Sequence, residues 1–128
     1  MKYSALVIAS LALTLVVSGT AASPTTITAT DEGHPITLRI GEELVLKLES
    51  NPSTGYDWFL TDAQNPVLSS LGKPVYAQGR STPGAGGIES WNFRASATGT
   101  QTLKLEYRRP WEKNTSPAKT VIFQVTVR

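Results

Sequence analysis

Apolar and polar positions alternate with period two along most of the chain after residue 23, and no stretch there sustains the spacing of an amphipathic helix. Leu44, Leu46 and Leu48 alternate with Val45, Lys47 and Glu49, and Tyr56, Trp58 and Leu60 with Asp57 and Phe59. Trp91, Phe93 and Ala95 share one face of 88–95. Leu103, Leu105 and Tyr107 do so in 100–108, and Val121, Phe123, Val125 and Val127 in 119–128. Such alternation marks strands with one buried and one wet face. Residues 25–30 and 35–40 are short β-type segments separated by Asp31, Glu32, Gly33 and His34, and read as one edge strand that bends or switches sheets. The pattern fails over 62–72, where a single helical turn fits and Val67, Leu68 and Leu71 are expected to plug one end of the core. Residues 74–78 resume as a short strand. About seven strands, with turns roughly every eight to twelve residues, predict an all-β, immunoglobulin-like antiparallel β-sandwich. Trp58 and Trp91 sit in strand register and are expected in its core, whereas Tyr56 and Tyr107, where strands meet loops, fit either environment.

Three connections stand out. In 51–56, Pro52 fixes φ and biases Asn51 towards an extended backbone, while Gly55 can adopt φ > 0, so a stiff protruding loop is expected. The stretch 79–87 holds four glycines, which leave backbone groups free for close approach by a partner; the same composition also fits a solvated loop. In 109–118, Trp111 follows Arg109 and Pro110 in a connection where burial is not expected, although the ring could also fold back over the sandwich end. If successive strands cross in alternating directions and 62–72 is not a full crossing, these loops cluster at one end, as binding loops on a rigid scaffold do.

The first 22 residues are set apart. Met1 and Lys2 form a short basic start, residues 5–17 are nearly all apolar, and 18–22 are small-residue rich, the pattern of a signal peptide cleaved after Ala22. The apolar run is short for a membrane span, so an exported mature chain free of the membrane is expected, periplasmic or secreted. Residues 23–128 then form one domain. The whole chain carries a formal charge of +2; Lys2 is the one charged residue in the removed segment, so the mature chain carries +1. That near-neutrality gives no electrostatic case for nucleic acid.

Asn51-Pro52-Ser53-Thr54-Gly55-Tyr56, then Gly84-Ala85-Gly86-Gly87, then Arg109-Pro110-Trp111 resemble, in the same order, the NPTTGY-like, GxGG and RPW loop signatures of chagasin-type inhibitors of papain-family cysteine peptidases. Any one motif is weak evidence; three in order over the whole mature chain are specific. Ser53 departs from the usual threonine, keeping the hydroxyl and losing a methyl. The resemblance implies a reversible, non-covalent block of a peptidase cleft by a monomer. The tip at Ser53, Thr54 and Gly55 would lie beside the catalytic cysteine, 84–87 on the non-primed side by backbone contacts, and Trp111 on the primed side against an enzyme aromatic.

Catalysis by this chain itself finds little support. There is no cysteine, and the single histidine, His34, lies in an early turn beside Pro35. No serine occupies a G-x-S-x-G elbow, and metal binding by histidine and cysteine lacks ligands, so neither catalytic residues nor a cofactor are expected. The alternative reading is an exported immunoglobulin-like adhesion or assembly module without inhibitory activity.

Overall fold

The computed structural model describes residues 23–61, 66–79 and 84–128. Where the sequence alternates, the chain is extended. The strands are β1 (Thr25–Thr28), β2 (Ile36–Leu38), β3 (Glu43–Ser50), β4 (Asp57–Leu60), β5 (Leu68–Ser70), β6 (Val75–Gln78), β7 (Gly87–Ala95), β8 (Gly99–Arg108) and β9 (Lys119–Val127). They build two sheets. One has the order β1-β3-β7-β5 with β6 also on β7, and the other β2-β9-β8-β4. The expected signal peptide lies outside the described residues.

The sheets are antiparallel except at one edge of each, where β1 runs parallel to β3 and β2 parallel to β9. Between β1 and β2 the chain changes sheets through a 3-10 turn at Ala29–Asp31, fixed by the Asp31 carboxylate accepting from Thr28 N at 2.8 Å. β1 runs towards the end of β3 while β2 runs back with β9, so the chain reverses here, and the expected single bending edge strand gives way to two strands of opposite direction on different sheets.

Of the segment 62–72, for which a helical turn was expected, residues 62–65 lie outside the described residues and the described part carries the short strand β5. Both β5 and β6 pair antiparallel with β7, Leu68 opposite Ala95 and Gln78 opposite Gly87, so together they run the length of β7 as one interrupted strand. Leu71 N still donates to Asn92 O at 2.8 Å before Gly72, at φ +99, breaks the run. Counting β5 and β6 once leaves eight crossings, one more than the sequence estimate, because the β1–β2 edge doubles back. It also preserves the alternation of direction, so the connections after β3, β6 and β8 emerge at the same end.

The core lies between the sheets. Leu44, Leu46, Leu48, Phe93 and Ala95 face Trp58, Leu103, Leu105, Tyr107, Val121, Phe123, Val125 and Val127. Each larger side chain so buried contributes about 1.5–3 kcal/mol, and with no cysteine in the chain this burial has no covalent cross-link to assist it. Val67 and Leu68 close the end opposite the three loops, and the buried Gln101 holds them there by accepting from Leu68 N at 3.0 Å. Leu71 does not join them; it is 39% exposed because its side chain falls beyond the plug. Trp91 is half-buried and packs against the core from its margin instead of lying within it. At the same far end β1 starts with Thr25 beside Leu44, and Arg128 N donates to Leu38 O at 2.9 Å.

Candidate functional site

The first loop is folded by its own polar groups. Pro52–Thr54 form a 3-10 turn capped by Gly55 at φ 82, ψ −6, with Thr54 N donating to Asn51 O at 3.1 Å and Gly55 N to Pro52 O at 3.0 Å. The Ser53 hydroxyl donates to Asn51 Oδ1 at 2.5 Å and the Thr54 hydroxyl to Asn51 O at 2.6 Å. Ser53 therefore uses the atom it shares with threonine. A turn already bonded in this way loses little conformational entropy on docking.

The three loops are also bonded to one another. Asn51 N donates to the Tyr107 hydroxyl at 3.0 Å, and Asn51 Nδ2 to Gly84 O at 3.0 Å, which ties the first loop to β8 and to the glycine loop. From the third loop, Arg109 Nε donates to Thr54 O at 3.2 Å. Its guanidinium lies 4.5 Å from the centre of the Tyr56 ring and 5.9 Å from that of Trp111, and Glu112 holds its Nη1 at 3.3 Å. Tyr56 stacks on Tyr107 at 5.3 Å, and Tyr107 meets Trp58 at 4.8 Å, so the loops stand on a column of aromatics reaching into the core. Asn51, Tyr56 and Arg109 thus brace the loops internally. Pro52, Ser53, Thr54, Gly84, Gly86, Pro110 and Trp111 form the exposed rim.

In the glycine loop, residues 80–83 lie outside the described residues. Gly84 has φ +80 and open space around it. At Gly86 an added Cβ would lie 3.0 Å from Ser50 O, and at Gly87 it would overlap Ala77 O. These two positions must stay bare because β7 passes close to β3 and β6, a requirement of this chain's own backbone. Ala85, Gly86, Gly87, Asn51, Tyr107 and Lys119 line a cleft of about 460 Å³ between the first and second loops. Trp111 is 63% exposed, with its ring lying over Gly55.

Glu89 escaped the sequence reading. It occupies the inward register shared by Trp91, Phe93 and Ala95 and is 5% exposed. Burial above all pushes its carboxyl up to about 7, with the nearby Asp57 carboxylate adding to the rise and the Ser50 hydroxyl and Trp91 indole N–H pulling the other way. A carboxylate at an inward position of an otherwise apolar face was the available signal.

Residues 37–127 match the family described as Chagasin family peptidase inhibitor I42. Chagasin of Trypanosoma cruzi is 29% identical over 66% of this chain and 81% of its own length. Amoebiasin-1 of Entamoeba histolytica is 31% identical over 80% and 98%. The crystal structure of a cysteine protease inhibitor from Entamoeba histolytica superposes with a TM-score of 0.72 at 25% identity, over 81% of this chain and 95% of that one.

Proposed function

Because the chain belongs to the chagasin family of peptidase inhibitors, we propose that it inhibits papain-like cysteine peptidases reversibly and without covalent chemistry, as a monomer that inserts its three loops into the active-site cleft. The observation that carries this reading is the mutual bracing of the three motif-bearing loops at one end of the sandwich through Asn51, Tyr107 and Arg109. A rigid rim of exposed backbone and small side chains around one large exposed aromatic suits a narrow cleft. Little ordering is left to be done on binding. The likeness to a cysteine protease inhibitor of known structure supports the enzyme class.

In this reading Pro52, Ser53, Thr54 and Gly55 form the wedge. Gly84, Ala85, Gly86 and Gly87 offer backbone edges beside it, and Pro110 and Trp111 cover the other flank. Asn51, Tyr56 and Arg109 hold the wedge in shape from behind. The chain acts as an inhibitor and not as an enzyme. The basic start and apolar run of residues 1–22 support export, with residues 23–128 as the active domain.

Titration of residues 23–128 against papain, a cathepsin-L-like enzyme and trypsin tests the proposal. Competitive inhibition of the two cysteine peptidases at roughly nanomolar concentration, with trypsin untouched and the 51–56 loop uncut, is the expected result. No inhibition at micromolar concentration, a covalent adduct, or cleavage between Ser53 and Tyr56 would reject it.

Trp111 gives a second check. Its ring is mostly in solvent, so Trp111→Ala should change folding stability by no more than about 1 kcal/mol yet weaken inhibition by about 1–3 kcal/mol. Urea unfolding and inhibition constants on the same preparation separate the two. A large stability loss at unchanged affinity would make the ring structural.

A further inference from the structure

The third loop leaves β8 through a tight turn over residues 109–112, closed by Glu112 N donating to Arg109 O at 3.1 Å. Pro110 takes the second place in this turn, which its fixed φ suits, and Trp111 the third, so the indole stands at the tip. The same turn brings its first and fourth side chains together, with Arg109 Nη1 3.3 Å from Glu112 Oε1. From there the guanidinium reaches across to the first loop. Its Nε donates to Thr54 O at 3.2 Å, and its centre lies 4.5 Å from that of the Tyr56 ring and 5.9 Å from that of Trp111. Among the described residues, Glu112 is the one carboxylate paired with it.

We infer that Glu112, which lies outside the 109–111 motif, is a positioning residue for the peptidase-binding rim: by holding Arg109 Nη1 it keys the turn that carries Trp111 to the first loop, and so sets how wedge and aromatic stand relative to each other before an enzyme arrives. The inference rests on the inhibitory reading above.

The hydrogen bond to Thr54 O fixes Arg109 at Nε alone, and a long side chain held at one point can still swing its guanidinium about that point. A second hold, at Nη1, fixes the direction of the plane and keeps the cation over the Tyr56 ring instead of in water. Tyr56 stacks on Tyr107, so the hold is passed on to the aromatic column in the core. The two side chains of the pair are 36% and 30% exposed, so it is partly shielded from solvent, yet its direct worth to folding is small, as for other pairs near the surface. What it changes is orientation. Without Glu112 the turn loses its closing side-chain pair, the guanidinium samples positions away from Thr54, and only a fraction of the molecules presents both loops in the binding arrangement. Affinity falls by that fraction.

The test is Glu112→Ala, alone and combined with Arg109→Ala, against one papain-like enzyme. Glu112→Ala should weaken inhibition about tenfold, mostly through slower association, while its melting temperature stays within about 4 °C of the parent's. Glu112→Gln, whose amide oxygen can still accept from Nη1, should recover most of the loss. In the Arg109→Ala background Glu112→Ala should cost less than about twofold, since the group it positions is gone. The Arg109 Nε–H proton, bonded to Thr54 O, should exchange with solvent faster in Glu112→Ala than in the parent, a readout that needs no enzyme. An equal loss in both backgrounds would mean that Glu112 meets the peptidase directly, and unchanged inhibition by Glu112→Ala that it positions nothing. Either result would overturn the inference and leave the inhibitory reading intact. Absence of inhibition by the parent would overturn that reading itself, and this inference with it.

Discussion

Replacing Gly55 with valine should weaken inhibition by about a hundredfold or more, about 3 kcal/mol, while both sheets remain folded. Two independent obstacles meet at this residue. Its φ of 82 is a conformation that a β-branched side chain adopts only with strain, on the order of 1–3 kcal/mol. The new Cβ would also overlap the Trp111 ring. The loop can escape both by turning the 54–55 backbone and pushing Trp111 aside, and since that ring is mostly in solvent, the movement costs stability only about 1 kcal/mol. What it destroys is the relative placement of wedge and aromatic. Ser53→Thr, which keeps the hydroxyl bonded to Asn51, should shift affinity by about threefold at most in either direction. Inhibition constants and urea midpoints for the two variants decide the matter. A Gly55→Val protein that inhibits like its parent would show that the 51–56 loop is not the binding element.

Trp58→Ala should have the largest effect on stability, about 3–5 kcal/mol, a large share of the roughly 5–15 kcal/mol available to a domain of this size. Trp58 is buried, tilts against Tyr107, and its indole N–H donates to Glu49 O at 3.0 Å, which joins the sheet of β4 to β3. Truncation leaves a cavity and strands that carbonyl. Because Tyr107 in turn holds Asn51 N, the molecules that remain folded should also inhibit less well. Trp91→Ala, at a half-buried margin, should cost less, about 1–2 kcal/mol. Denaturant unfolding of both variants tests the ranking. Equal losses would mean that Trp91 is as deep in the core as the alternation of β7 suggests.

Which features could be read from residues alone follows from what alternation encodes. β3, β8 and β9 were legible because each buries one complete face, as in Leu103, Leu105 and Tyr107. β5 was not, since Leu68–Ser70 carries one buried side chain and no period can be seen in three residues. Alternation assigns a face but not a partner or a direction, so the parallel pairings of β1 and β2 were invisible. The loop motifs were recognisable because Pro52 and Gly55 leave strong backbone signatures. Motifs name residues without saying which way they point, however, and the inward bracing by Asn51 and Arg109 had to come from the coordinates. At Gly86 and Gly87 the sequence suggested close approach by a partner, while the atoms nearest to a hypothetical side chain belong to Ser50 and Ala77. Glu89 was missed although its inward register was in view, because alternation was read for apolar residues alone and its raised carboxyl follows first from burial.

The placement of Thr25 beside Leu44, and of Arg128 against Leu38, puts both ends of the described domain at the pole away from Trp111. A tether, fusion partner or solid support joined at either terminus would hang from the rear of the molecule and leave the approach to its front unobstructed. Two copies joined end to end by a flexible linker would face outward in opposite directions, each able to hold its own enzyme, and the linker need span only the rear faces. A label on Lys113, by contrast, would stand directly in the path of an arriving peptidase.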